Sequence, residues 1–372
     1  MSTEVSEELV EVRRTGKGMH PDEIMLLIGS AVSAWACTWL AVIQLSPIRN
    51  KPAIFLIWYL LFVLIYRLVV SQHSGRLAAR DRTATVIILS GAAIVFAPLA
   101  FIVSYILIKG VGSLNKAFFT QDLSVTGTLD LGGGASHAIV GTLEQIAIAA
   151  LISVPLGMLT AVFLNEVRGP LRRPVRMFVD AMSGVPSIVA GLFIFAVWIV
   201  QFHKEFSGFA AALALSVLML PSITRTSEEV LRLVPGGLRE ASLALGSTEW
   251  RTTWSVVLPT ARAGLITSVV LGIARAVGET APLIMTSFGS SAMNGNPFHG
   301  SQSSLPLFVY TLIRNPFPEQ QARAWSGALV LIVLVLVLLP YSEIEASSAI
   351  VSVSLRFLGL AARLGFLIIL AG

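Results

Sequence analysis

Long apolar runs constrain this chain more than any single motif. Segments such as Ala84–Ile108 and Ala138–Leu164 carry almost no charge, and each exceeds the roughly 20 residues that cross the hydrocarbon core of a bilayer. In that medium every backbone N–H and C=O must be satisfied within the segment, which leaves helices and closed barrels. Uninterrupted apolar runs rather than alternating ones select helices. Charge supports the same reading: 13% of the 372 residues are charged and mean hydropathy is +0.80, whereas a soluble domain has roughly a quarter charged. The expected fold class is an all-α, polytopic transmembrane helical bundle.

The candidate spans are Ile24–Leu45, Ala53–Val70, Ala84–Ile108, Ala138–Leu164, Ile188–Phe202, Phe209–Leu220 with its polar continuation, Leu265–Phe288 and Trp325–Leu339. The fifth and sixth are short, so each is expected to continue into flanking polar sequence. A further stretch, Ala346–Ala371, contains Arg356 and Arg363 near one helical face. An interfacial helix is favoured there slightly over another span.

The net charge of +5 is a matter of topology here, not of nucleic acid, because the arginines sit in short loops between apolar runs. With a cytoplasmic N-terminus, the inner side holds Arg76, Arg80 and Arg82, then Arg168, Arg172, Arg173 and Arg176, then Arg225, Arg232, Arg239, Arg251 and Arg262. The outer side holds fewer: Arg49, Lys51, Lys109, Lys116, Lys204, Arg314 and Arg323. That bias places the N-terminus inside. The outer segments Lys109–Ser136 and Gly289–Ala324 read as capping loops.

Little else invites chemistry. Cys37 is the single cysteine, so no disulfide forms within the chain and no cysteine metal site can be built. The acidic N-terminus lacks the pattern of a cleaved signal peptide. His20, His73, His137, His203 and His299 lie at span ends or in loops without a partner at metal spacing. Trp58, Trp198 and Trp325 read as interface anchors, and Pro155 and Pro186 as kinks. Ser326 is no nucleophile without a histidine base inside a span. Glu144 either lines an outer vestibule or is satisfied by a neighbouring hydroxyl.

Two features remain. Arg275 and Glu279 lie inside the seventh span at i,i+4, and Arg225 and Glu228 lie at i,i+3 near the end of the sixth. Each pair shares a helix face, and charges at such depth cost roughly 2.5–3.5 kcal/mol each on insertion scales. Arginine's fork matches oxyanions, and a nearby carboxylate keeps such a site from holding its anion too tightly. A purely structural pairing remains open for both. The second feature is the polar stretch from Pro221 to Arg262. Pro235-Gly236-Gly237 ends one helix, Leu238–Leu245 makes a short second one, and Gly246 terminates it in the left-handed conformation. Ser247 then caps a third, which ends at Leu258-Pro259. This element is either a partner's docking finger or an amphipathic connector.

Glu240-Ala241-Ser242, Gly246 and Val256-Val257-Leu258-Pro259 resemble, at matching spacing, the EAA motif of ABC importer permeases. Gly132–Leu143, Ser183–Phe193 and Gly278–Phe288 resemble the permease of the phosphate-specific ABC transporter, of the PstA kind. The resemblance covers roughly Ala84 to Leu339. It implies a type I ABC importer core of about six helices over 84–340, preceded by a polar tail (1–23) and an extra hairpin with a basic loop (24–83), and followed by a tail (341–372). It implies Arg225, Glu228, Arg275 and Glu279 along a phosphate path, and Glu240, Ala241, Ser242, Gly246, Leu258 and Pro259 in ATPase coupling. The implied partners are a second, PstC-like permease, a dimeric PstB-like ATPase, an external PstS-like phosphate-binding protein, and the lipid of a bacterial inner membrane. No P-loop is present in the sequence, so ATP and magnesium belong to the partner ATPase and the chain itself is expected to hold no cofactor. The alternatives are a permease for phosphonate, sulfate or molybdate, or a membrane component that signals phosphate status.

Overall fold

The computed structural model describes residues 21–45, 50–127, 129–130 and 132–344. The acidic N-tail, Arg49 and the stretch Ala346–Ala371 fall outside them. Regular structure among the described residues is helical, with one isolated bridge between Phe288 and Gln302. Six helices are long and apolar enough to cross a membrane, or seven if one bent pair counts as a span. The chain divides into two compact units, one up to Val103 and one from Ser104.

The first unit holds α1 (Pro21–Leu45) and most of α2 (Lys51–Gly110). At its 60 residues a straight α2 would run about 90 Å, three times the thickness of the hydrocarbon core. It does not run straight. Gly75 takes φ 85°, ψ 166°, a conformation that glycine reaches without steric cost. The hydroxyls of Tyr59 and Ser90 then meet at 2.5 Å with Gly75 midway between them, so the two halves fold back against each other. The expected basic loop around Arg76, Arg80 and Arg82 is therefore helix on both sides of a single glycine. Arg82 closes the end of the unit by pairing with Glu23 at 2.5 Å. Ala34, Phe62, Tyr66, Val70 and Ala79 form the core. Trp58 donates its indole N–H to the carbonyl of Ala31, so it binds α1 to α2 as well as sitting near a span end.

The second unit is built on α4 (Ser136–Glu166), α7 (Gly208–Arg232) and α10 (Leu258–Val277). Ser216 and Thr224 donate to the carbonyls of Ala149 and Gly157. Both numbers rise together by eight residues, so α4 and α7 run parallel. Glycines set how closely these helices approach. A Cβ at Gly272 would stand 2.5 Å from Ile223 and one at Gly264 would stand 2.6 Å from Val230. Here one number rises as the other falls, so α10 is antiparallel to α7. Ala149, Met158, Leu215, Met219, Ile223, Val257 and Leu265 fill the shared core.

Between these helices lie α5 (Arg172–Ser183) and α6 (Ser187–Ile194), the latter continuing as a π-helical turn over Phe195–Gln201. The two segments meet at 104°. The expected polar extension of the fifth span is thus a sharp break at Gly184–Pro186, with Pro186 at the N-cap of α6. The sixth span does continue, through Pro221 to Arg232. The seventh breaks: α10 ends at Val277 and α11 (Ala281–Thr286) starts after Gly278, Glu279 and Thr280. Pro155 lies within a continuous α4.

At the far end of the unit the two expected capping loops carry structure of their own. One contains α3 (Lys116–Thr120), the other α12 (Leu305–Ile313), and Phe118, Leu305 and Phe308 are buried together. His137, expected at a span end or in a loop, sits in the first turn of α4 and is buried against the Phe308 ring. Arg323 belongs to α13 (Pro318–Ile344), is buried, and donates to the carbonyl of Asp130. Glu144 accepts from the side-chain amide of Gln302 at 2.5 Å, a partner that neither of its two expected readings named. Ser326 donates to the carbonyl of Gly110 at 2.6 Å, which fixes α13 against the last turn of α2.

Candidate functional site: an arginine-lined cavity and a bent polar finger

Neither expected arginine–glutamate pair forms. Arg225 pairs with Asp180 of α5 at 2.5 Å, while Glu228 lies between Arg176 of α5 and Arg232. The reason is orientation. Arg225 and Glu228 stand on neighbouring ridges of α7, and α5 lies across both, offering a carboxylate to one and a guanidinium to the other. Glu228 is 7% exposed, so both of its arginines serve one nearly buried charge. Arg275 and Glu279 lie on opposite sides of the break after Val277, so no helical face is shared. Arg275 ends α10, where a cation also suits the negative end of the dipole.

The structure nonetheless brings two of the four charges together. Arg225 and Arg275 line one cavity of about 260 Å³ with Ser183, Ser222, Thr226 and Pro221. Two guanidinium forks give this cavity the chemistry that receives an oxyanion, beside a wall that is apolar at Met182, Val185, Leu218 and Pro221. Glu228 and Glu279 are not among its lining residues. The sequence singled out both arginines; Ser183, Ser222 and Thr226 went unnoticed because isolated hydroxyls in apolar helices usually bond back along the helix. Ser183 and Thr226 do that here, to Val179 and Ser222. Asp180 and Arg176 were missed because their partners lie some 50 residues away and no local spacing marks them.

The polar finger follows its expected course with shifts of a few residues. Gly236 and Gly237 open α8 (Gly236–Ala244) instead of ending α7, since Pro235 caps that helix. Gly246 takes φ +83°, the left-handed turn expected of it. Thr248, not Ser247, caps α9 (Glu249–Thr252), its hydroxyl accepting from the N–H of Arg251. A π-helical turn over Thr253–Val257 then leads through Leu258 and Pro259 straight into α10. The helix does not end at Pro259: that residue falls where the π-helical turn gives way to α10, and the helix runs on through it.

The finger has an exposed tip and a fixed base. Glu240, Ala241, Leu245 and Trp250 are exposed. Ser242 and Thr252 share a hydrogen bond of 2.9 Å that sets the angle between α8 and α9. Val257 and Leu258 are buried in the helical core. Arg239 donates to the carbonyls of Val234 and Leu231 and to the carboxylate of Glu166. The base of α8 is thereby tied to the ends of α7 and α4 at once.

The profile of the binding-protein-dependent transport system inner membrane component matches residues 153–341, which takes in both the cavity and the finger. The chain belongs to that family. Among its relatives, the phosphate transport system permease protein PstA of Mycobacterium leprae (strain TN) is 41% identical over 264 residues, covering 70% of this chain and 87% of that one. PstA 1 of Mycobacterium tuberculosis (strain ATCC 25618 / H37Rv) is 41% identical over 258 residues, covering 69% and 84%. PstA of Pasteurella multocida (strain Pm70) is 35% identical, covering 66% and 87%. A solved inward-facing MetNI methionine ABC transporter aligns with TM-score 0.45 at 20% identity, over 55% of this chain and 91% of that one, too loosely to carry an argument. As an inner membrane component of this kind, the chain is a transport permease subunit with an all-helical, multi-pass fold.

Proposed function

We propose that this permease imports inorganic phosphate across a bacterial inner membrane, driven by a separate ATPase. The observation that carries the reading is the meeting of Arg225 and Arg275 in one hydroxyl-lined cavity, in a chain 41% identical to proteins named as phosphate transport permeases. The path runs between this subunit and a second permease, an external binding protein delivers phosphate, and a dimeric ATPase that uses ATP and magnesium docks on the exposed tip of α8 and α9. The C-terminal ends of the parallel helices α4 and α7 face the cytoplasm, as does the N-terminus. Closure of the ATPase subunits moves the finger; Arg239 passes that motion to α4 and α7, and Leu258-Pro259 passes it to α10. The cavity then alternates between the two sides of the membrane. This chain's residues bind, orient and release the anion without covalent chemistry.

The test is uptake of labelled phosphate by vesicles containing the assembled complex, with sulfate, molybdate and phosphonate as competitors. ATP-dependent uptake that phosphate alone competes away supports the reading. Equal competition by another oxyanion reassigns the substrate, and the absence of any flux leaves a signalling role.

A further inference from the structure

The pairing of Arg225 with Asp180 adds a part that neither the helix-face spacing nor the family assignment supplies. An anion chamber built on two arginines has ample attraction and no evident means of letting go. The carboxylates expected to temper it, Glu228 and Glu279, do not line the cavity: Glu228 is committed to Arg176 and Arg232, and Glu279 lies beyond the end of α10. Asp180 is not among the lining residues either, but of the three carboxylates it is the one paired with a lining arginine. Its carboxylate stands 2.5 Å from the Arg225 guanidinium, and the two side chains remain 46% and 44% exposed. A pair this open to water exchanges readily. Asp180 also lies one helical turn before Ser183, itself a lining residue, on the last turns of α5 before the 104° break into α6.

We propose that Asp180 is the release carboxylate of this cavity, a tethered competitor that reclaims Arg225 as the anion leaves. The proposal rests on the oxyanion reading of the cavity. An incoming oxyanion takes the Arg225 fork and displaces Asp180 to solvent. When the chamber opens inward, Asp180 returns and lowers the anion's residence time. Its negative charge, not its volume, does this work. Removing the charge should therefore tighten binding and slow transport together, a combination that damage to the fold does not produce.

The experiment measures two quantities on the purified, ATPase-containing complex: equilibrium binding of labelled inorganic phosphate without nucleotide or binding protein, and maximal ATP-driven uptake in vesicles. Asp180→Asn is expected to lower the phosphate Kd on the order of twofold to fivefold, the range set by an exposed pair, and to reduce maximal uptake. Asp180→Glu is expected to restore both. An unchanged or raised Kd in Asp180→Asn, or a Kd that stays low in Asp180→Glu, overturns the proposal. A wild-type complex that neither binds nor carries phosphate overturns the underlying reading instead, so the two failures are distinguishable.

Discussion

Arg239 places a guanidinium nitrogen 2.9 Å from the carboxylate of Glu166, tying the base of the polar finger to the last turn of α4. The same side chain donates to the carbonyls of Val234 and Leu231 just beyond and within the end of α7. One residue thus bridges the finger to both parallel helices of the core. Removing it leaves Glu166 without its guanidinium partner and takes a donor from the Val234 carbonyl, while the Leu231 carbonyl keeps backbone N–H donors, a loss of about 1–3 kcal/mol at each desolvated group at most. Arg239→Ala is expected to leave the complex assembled and hydrolysing ATP while uptake per ATP falls severalfold. Parallel assays of ATPase rate and phosphate flux on the same preparation check this, and unchanged coupling would count against a mechanical role.

Gly246 sits at φ +83° with nothing within 4 Å of the position a Cβ would take. The cost of a substitution there is therefore backbone strain alone, of order 1–2 kcal/mol for an L-residue in that region. Gly246→Val is expected to straighten or shift the angle between α8 and α9 and to weaken retention of the ATPase on co-purification. Gly246→Asn, which tolerates this conformation, should retain it. Equal retention by all three proteins would show that the turn is not part of the docking surface.

Close approach distinguishes two other glycines. A Cβ at Gly141 would collide with the backbone carbonyl of Ser303, whereas one at Gly91 would meet nothing within 4 Å. Backbone yields less readily than a side chain, so Gly141→Ala is expected to destabilise the unit by about 1–3 kcal/mol. Gly91→Ala should be neutral or slightly stabilising, since alanine is the better helix former. Thermal unfolding of the detergent-solubilised proteins reads the difference. A melting temperature for Gly141→Ala that matches Gly91→Ala would mean that the α4–Ser303 contact is looser than described.

Asp122 lies outside the spans and holds the two far-end loops together. Hydrogen bonds from the Ser124 hydroxyl, foremost, and from the N–H groups of Met293 and Ser124 hold its carboxyl below the usual aspartate range. A depressed folded pKa contributes stability that is present above the unfolded value, near 3.9, and lost as pH falls through the folded value. Proteolysis within residues 289–304 is expected to accelerate on acidification below about pH 4. Asp122→Asn should already show the faster cleavage at neutral pH. A cleavage rate insensitive to both changes would contradict the tie.

How much of this was legible in the sequence depends on the range of the interaction. The length of α7, the turn at Gly246 and the exposure of Ala241 and Trp250 follow from local rules, and the structure has them. Capping shifted by one residue, from Ser247 to Thr248, because two adjacent hydroxyls compete for one helix start. What was not legible depends on neighbours distant in sequence. Arg225 and Glu228 satisfy a local pairing rule, yet α5 offers each a partner across the interface and wins. The break at Gly278–Thr280 falls inside a run read as one span, Leu265–Phe288, while the sharp angle at Gly184–Pro186 joins the apolar α6 to a basic helix, α5, that no apolar run announces. The reversal between Val70 and Ala84 was legible as a basic loop, but not that one residue, Gly75, would make it with helix on both sides.

The most direct test of the account is the rate of ATP-driven phosphate uptake by Arg275→Ala in vesicles, compared with the wild type at equal assembly with the partner permease and ATPase. Arg275 lines the cavity beside Arg225 and has no ion-pair partner among the described residues, so its loss removes half of the anion's guanidinium contacts without leaving a carboxylate exposed. The account predicts uptake reduced at least about tenfold, the effect of one charge-assisted contact of about 1.5–3 kcal/mol, with assembly and ATPase activity intact. Uptake equal to wild type would contradict it and place the phosphate path elsewhere.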